Sequence, residues 1–385
     1  MKIAMVTEYI APKEKPHFGG VDVRTVNLAK QLAKNNDVQI ITSLIDGGKR
    51  IENYDGVEIH RIGKKRRFTQ RGDFLQRLKF NSMVISEISK LEPDIVDGSG
   101  FVSWAGCYKG AKKIGVPSTV TVHEVWQGQW TQNMGLINGF AGHFLEKHFL
   151  KYNFDGYVSV SNFTKEKLVD KIGIPEEKIA VIYNGIDLDL FKKTFVDEKY
   201  PDPTVVTICR LVSYKRVGDL IKAIKILKAD IPNIRLKIIG EGPQKEYLIN
   251  LSKDLEITDR IDFLEKINDM QDMIKVLKKS HVFALPSIAE GFGMVIIEAL
   301  AAGIPYVSSD IPPIREITNG GIGGFLCKTK DCKDLAMKIK SLLTDESKRI
   351  DVMKSVSSHI KKFEWSNLSN DLERHYAKLC ERRAK

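Results

Sequence analysis

The sequence predicts an α/β protein of two domains, each a parallel sheet covered by helices. Three observations point there. Short apolar runs of strand length alternate with helical stretches in both halves. The alternation stops at a polar, proline-containing stretch and then restarts. The 385 residues, 43% hydrophobic and 8% aromatic, suffice for two buried cores.

In order, the expected strands of the first half are Ile3–Thr7, Val38–Thr42, Val57–Ile62, Asp94–Asp97, Ser118–Val122, Gly156–Val160 and Ile179–Tyr183. The second set is Thr204–Cys209, Arg235–Ile239, Ile261–Leu264, Val282–Leu285, Tyr306–Ser308 and Gly324–Cys327. Between the sets, Asn184–Phe191 and then 192–203, polar, with Pro201 and Pro203 and without clear periodicity, together read as a linker. The expected domains are 1–188 and 189–365, facing each other across a cleft at the carboxyl ends of their strands, where such sheets bind ligands. The last helix, about Ser366–Arg382, carries the apolar stripe Leu368, Leu372, Tyr376 and Leu379, which needs a surface to cover.

Five cysteines, Cys107, Cys209, Cys327, Cys332 and Cys380, are scattered and odd in number, which argues against a disulfide framework and for a reducing compartment. Met1–Thr7 reads as a first strand rather than a signal peptide, and no window approaches a spanning helix. The expectation is a soluble or peripheral cytoplasmic protein. The net charge of +11 is spread over both halves. Its densest point, Lys64-Lys65-Arg66-Arg67 with Arg71, precedes Phe74, Leu75, Leu78, Phe80 and Met83; such a loop patch is either a solvated face or a peripheral contact with anionic lipid. Without a binding motif or an aromatic platform beside the charge, nucleic acid is not expected.

The chemistry concentrates at Glu290-Gly291-Phe292-Gly293, a strand-to-helix loop, and Glu298, inside a helix expected from about Met294 to Ala302. Two carboxylates so placed suit a polyhydroxylated ligand. The amides of Gly291, Phe292, Gly293 and Met294 are expected to point outward at the helix's positive end, ready for phosphate or sugar oxygens. Arg210 and Lys215 follow the strand Thr204–Cys209 and could neutralise a diphosphate. Gly240-Glu241-Gly242 follows the next strand. Gly19-Gly20 opens a helix expected over Val21–Lys34 and could take a phosphate or sugar oxygen; without Gly-x-Gly-x-x-Gly it is no dinucleotide fingerprint. His123 ends the strand Ser118–Val122, where it could hydrogen-bond a sugar or stabilise developing charge.

Pro286-Ser287…Glu290-Gly291-Phe292-Gly293…Glu298-Ala299-Leu300-Ala301-Ala302-Gly303-Ile304-Pro305 resembles the signature of the retaining family 4, or group 1, glycosyltransferases. The resemblance implies the GT-B architecture: two Rossmann-like domains, with the C-terminal helix 366–385 returning to the first after the crossover Phe363-Glu364-Trp365. It implies a hexosyltransferase moving sugar from a UDP- or GDP-sugar to a sugar or lipid-linked acceptor in polysaccharide synthesis, with retention and no required cofactor or metal. Glu290 would hold hydroxyls of the sugar, Glu298 the ribose, Arg210 and Lys215 the diphosphate, with Gly240 on the donor side and His123 near the anomeric centre. Asn184-Gly185-Ile186-Asp187 resembles the family's segment at the domain connection, so Asp187-x-Asp189 is not read as a metal site. Two departures stand out: Glu124 where the family commonly has Asp, and Glu265 where it often has Gly, which leaves the base open. A nucleotide-sugar epimerase or phosphorylase, or a non-catalytic nucleotide-sugar sensor, are the alternatives.

Overall fold

The computed structural model describes all residues except 14, 16–18, 67–73, 129, 131–135, 266, 268 and 385. It divides into two units, Met1–Gly185 with Trp365–Lys385, and Ile186–Glu364.

The first unit holds an eight-stranded sheet of β1 (Lys2–Thr7), β2 (Asp37–Ile45), β3 (Ile51–Tyr54), β4 (Val57–Arg66), β5 (Ile95–Ser99), β6 (Ser118–Val122), β7 (Gly156–Ser159) and β8 (Ile179–Val181). Their spatial order is β3-β4-β2-β1-β5-β6-β7-β8. All neighbours are parallel except β3, which pairs antiparallel with β4. The second unit holds β9 (Thr204–Ile208), β10 (Arg235–Ile239), β11 (Ile261–Leu264), β12 (Val282–Leu285), β13 (Tyr306–Ser309) and β14 (Gly324–Cys327), all parallel, in the order β11-β10-β9-β12-β13-β14. Strands such as β5, β6, β7 and β12 are buried along their whole length, as sheets covered on both faces require. In each sheet the order reverses beside the first strand of the unit, at β1/β5 and β9/β12, which is where open α/β sheets leave a crevice.

The strand β3 escapes a periodicity reading because it is a short edge element with Ile51 exposed. Its signal is the hairpin turn Asp55-Gly56, both at positive φ (52° and 92°). The strand β4 runs to Arg66, beyond the expected Ile62, so Lys64, Lys65 and Arg66 lie on a strand end rather than a loop. Lys64 and Lys65 are exposed, whereas Arg66 pairs inward with Glu8 at 3.4 Å, hydrogen-bonds Ser43 and sits 4.7 Å over the Tyr9 ring, so it offers no charge to a lipid surface. Arg67 and Arg71 lie outside the described residues. Among the described residues no helix is long and apolar enough to cross a membrane.

The final helix spans Trp365–Ala384, and its stripe of Leu368, Leu372, Tyr376 and Leu379 is buried with Ile3, Met5, Val26 and Leu28. Each such side chain contributes about 1.5–3 kcal/mol on burial. A polar network runs through the same interface. Arg24, fully buried on the helix Gly20–Leu32, donates to the carbonyls of Ile182 (3.0 Å) and Tyr183 and to Asn184 Oδ1 (3.1 Å). Asp97 on β5 accepts from Tyr376 Oη at 2.6 Å and from Thr121 at 3.3 Å. Burial lowers the Arg24 pKa to about 10 and raises that of Asp97 to about 6.

Asn184-Gly185-Ile186-Asp187 serves the crossing between units. A Cβ on Gly185 would stand 2.3 Å from the Trp365 ring, so the two chain passages meet only because this residue has no side chain. Ile186 donates to Phe363 at 2.7 Å. Asp187 caps the helix Leu188–Lys193 through Leu190, and Asp189 pairs with Lys192 at 3.2 Å, which gives both carboxylates structural partners. The passage is at Gly185/Ile186, at the start of the expected linker, three residues before the expected boundary after 188. Leu188 and Phe191 are buried, Tyr200 donates to Lys279 and Lys199 to Ser280, so that polar stretch packs on the second unit.

Tyr376→Phe removes the hydroxyl from a buried carboxylate and is expected to cost about 1–3 kcal/mol of unfolding free energy, read from the urea midpoint. An unchanged midpoint would mean that Asp97 finds another donor.

Candidate functional site

Three neighbouring strands of the second sheet, β10, β9 and β12, end in loops that lock onto one another. Gly240 and Gly242, after β10, have φ of 142° and 158°, and a Cβ at either would stand 2.0 Å from the Cys209 carbonyl or 2.3 Å from that of Leu211. Glycine alone permits this approach, and it allows Leu211 to donate to Glu241 and Gln244 to Leu211. The loop after β9 is thereby held in place with Arg210 exposed at its tip; its guanidinium has no partner among the described residues. That loop continues to Tyr214, whose carbonyl accepts from Ile288 in the loop after β12 at 2.9 Å.

The same two loops are joined by charge. Lys215 Nζ donates to Glu290 Oε1 at 2.5 Å, with the side chains 14% and 9% exposed. Lys215 therefore does not stand beside Arg210 as a second free cation; it is neutralised by the carboxylate expected to hold sugar hydroxyls. Cys209 lies within the field of both, and burial raises its thiol pKa to about 11.

Beyond Glu290 the chain turns at Gly293, at φ 97°, and enters the helix Met294–Ala301. The Phe292 ring is buried edge-on against Phe363 at 5.9 Å. Phe292 is a packing residue whose ring anchors the loop. Glu298 lies on the helix, half-buried, and has no side-chain partner among the described residues. Burial alone raises its pKa to about 7. A carboxylate lodged there without a donor is poised to accept hydroxyl hydrogens. Glu265 is exposed past β11.

In the first unit, His123 follows β6 and its Nε2 shares a hydrogen bond with Ser99 Oγ, at the end of β5, at 3.3 Å. Burial, together with the Arg24 cation, lowers the His123 pKa to about 3. The imidazole is neutral near pH 7, so it can hydrogen-bond a ligand but carries no positive charge of its own. Ser99 was not foreseen, because a serine at a strand end carries no spacing signal. Glu124 pairs with Lys167 at 2.6 Å and is turned to that contact. The helix expected from Val21 begins at Gly20, with Gly19 extended at φ 170°; a Cβ on either glycine would meet nothing within 4 Å. Among the described residues, neither conformation nor packing demands glycine there. Gly100, just past Ser99, lies against Val21, which brings this helix end near the β5 loop.

The family model described as Glycosyltransferase Family 4 matches residues 18–190, and that described as Glycosyl transferases group 1 matches 190–357. An uncharacterised glycosyltransferase of Methanocaldococcus jannaschii is 27% identical over 96% of both chains. Among solved structures, sucrose-phosphate synthase from Thermosynechococcus elongatus superposes with a TM-score of 0.83 over 99% of each chain at 19% identity. HepE of Anabaena, solved with UDP-glucose, gives 0.75 over 98% of this chain and 100% of that one at 17% identity. With two family models end to end along one GT-B fold, this chain belongs to the group 1, family 4, glycosyltransferases.

Proposed function

We propose that this glycosyltransferase uses a nucleoside-diphosphate sugar, and that the second unit binds it through Arg210, Lys215, Glu290 and Glu298. The observation that carries the reading is the trio of interlocked loops at the carboxyl ends of β10, β9 and β12, which hold a Lys–Glu pair and a guanidinium without a partner among the described residues, with Glu298, likewise without a side-chain partner among them, on the helix that follows. Arg210 would meet the diphosphate bidentately. Lys215 would add its charge as the leaving group develops negative charge, while Glu290, already oriented by Lys215, accepts hydroxyls of the transferred hexose. Glu298 would accept the ribose hydroxyls. The amides of Gly293 and Met294, which have no partner among the described residues, and Gly19-Gly20 in the first unit would take phosphate or sugar oxygens, while Gly240 would act on the donor side by holding the loop after β10 against that after β9.

His123, as a neutral imidazole fixed by Ser99, would hydrogen-bond the sugar near its anomeric centre. Retention would follow a front-face course in which the departing phosphate takes the acceptor proton, so no carboxylate serves as a nucleophile. UDP is the favoured donor base, since HepE was solved with UDP-glucose. The acceptor would be a sugar or lipid-linked sugar in polysaccharide assembly, reached from the cytoplasm. A panel of UDP-, GDP- and ADP-sugars in a thermal-shift screen tests the reading, since a ligand of the folded state raises the melting temperature. Stabilisation by one nucleotide series supports it, and no stabilisation by any would overturn it.

Glu290→Gln keeps the shape but loses the charge that orients Lys215. Turnover is expected to fall about 100-fold or more, measured as sugar transfer with circular dichroism confirming the fold. Wild-type-like turnover would remove Glu290 from the site.

Glu298 gives a pH prediction. Its pKa of about 7 lies above the ordinary 4.5, so the folded state keeps a proton that the unfolded chain releases, and stability declines as pH rises from about 4.5 to about 7. Glu298→Gln should therefore match the parent at pH 4 and exceed it at pH 8 by up to about 3 kcal/mol in urea unfolding. The same variant should bind nucleotide more weakly, because the amide offers the ribose a poorer acceptor. Equal stability at both pH values would show that Glu298 is already ionised.

A further inference from the structure

The loop after His123 carries a feature that the donor site does not use. Glu146, 2% exposed on the helix Leu136–Leu150, accepts from three donors of that loop: the Trp126 amide, Gln127 Nε2 and Trp130 Nε1, each at 2.9 Å. Gln127 also donates to the His143 carbonyl at 2.8 Å, and the Trp130 ring lies against Gly142, where a Cβ would stand 2.3 Å from it. A buried carboxylate satisfied three times over is a strong anchor, and it holds Trp126, Gln127 and Trp130 together.

What it holds up is aromatic. The Trp126 and Trp130 rings are half-buried, with centroids 5.2 Å apart, and Trp130 continues to Phe101 at 5.7 Å in the loop after β5. The strip thus spans the carboxyl ends of β5 and β6, the edge that carries Ser99 and His123. The indole N–H of Trp126 has no partner among the described residues. A flat ring with an electron-rich face and an unused donor at its rim matches a pyranose, which presents polarised C–H groups on one face and hydroxyls around its edge.

We propose that Trp126, with Trp130 behind it, is the acceptor subsite and stacks on the apolar face of a pyranose ring, with Glu146 as the positioning residue. The proposal rests on the sugar-transfer reading of this chain and adds that the acceptor end is a hexopyranoside rather than an open-chain polyol or a bare alcohol.

The test uses the full chain without nucleotide. Methyl β-glucopyranoside and methyl β-galactopyranoside are titrated by tryptophan emission and by saturation-transfer NMR, with sorbitol as the ringless control. At least one glycoside should bind and sorbitol should not. Trp126→Ala should weaken binding about tenfold, the worth of an aromatic stacking contact, while Trp126→Phe, which keeps a flat face, should retain most of it. Failure of both glycosides to bind, equal binding of sorbitol, or parental affinity in a folded Trp126→Ala chain would overturn the subsite. Nucleotide binding is followed separately by thermal shift. Its failure counts against the donor reading, and the glycoside titration still decides the platform.

Discussion

The first unit depends on how one buried cation is satisfied. Arg24 cannot leave the interior, and a guanidinium there is tolerable only when every donor has a partner. Its partners are the carbonyls of Ile182 and Tyr183 and the Asn184 side chain, the last residues before the chain passes to the second unit. The Asp97 carboxylate balances its charge and is itself shared with Thr121 and Tyr376. One charge therefore fastens the helix after β1, two central strands, the exit segment and the C-terminal helix. The same cation helps keep His123 neutral, so a packing requirement reaches into the site's chemistry.

The second unit solves a different problem. Its loops at the carboxyl ends of β10, β9 and β12 are rigid yet present charge. Interlocking backbone bonds supply the rigidity, since Gly240 and Gly242 let two loops touch main chain to main chain and Ile288 binds the third. The Lys215–Glu290 pair then holds two opposite charges whose mutual attraction offsets the cost of taking both largely out of water. Glu298 lacks such a partner, and its raised pKa is the consequence.

Much of the architecture was legible because parallel strands buried on both faces are continuous apolar runs, and the runs from Ile3–Thr7 to Gly324–Cys327 all became strands. The stripe Leu368, Leu372, Tyr376 and Leu379 announced a covered helix in the same way. Edge strand β3 was not legible by periodicity, since it is short and half exposed. The expected linker ran too long, because polarity and proline mark a loop without saying where it packs.

By itself the sequence determined two parallel α/β units, a loop-to-helix carboxylate pair and the family signature, since these rest on local periodicity and on residue types at fixed spacing. Only the tertiary structure decided that Lys215 spends its charge on Glu290, that the Phe292 ring faces the core, that His123 is neutral beside Ser99, and that Glu146 carries Trp126 and Trp130. The reason is physical. Charge state and hydrogen-bond partnership depend on which groups approach from distant parts of the chain and on how much water remains between them, and neither is encoded in spacing along the sequence.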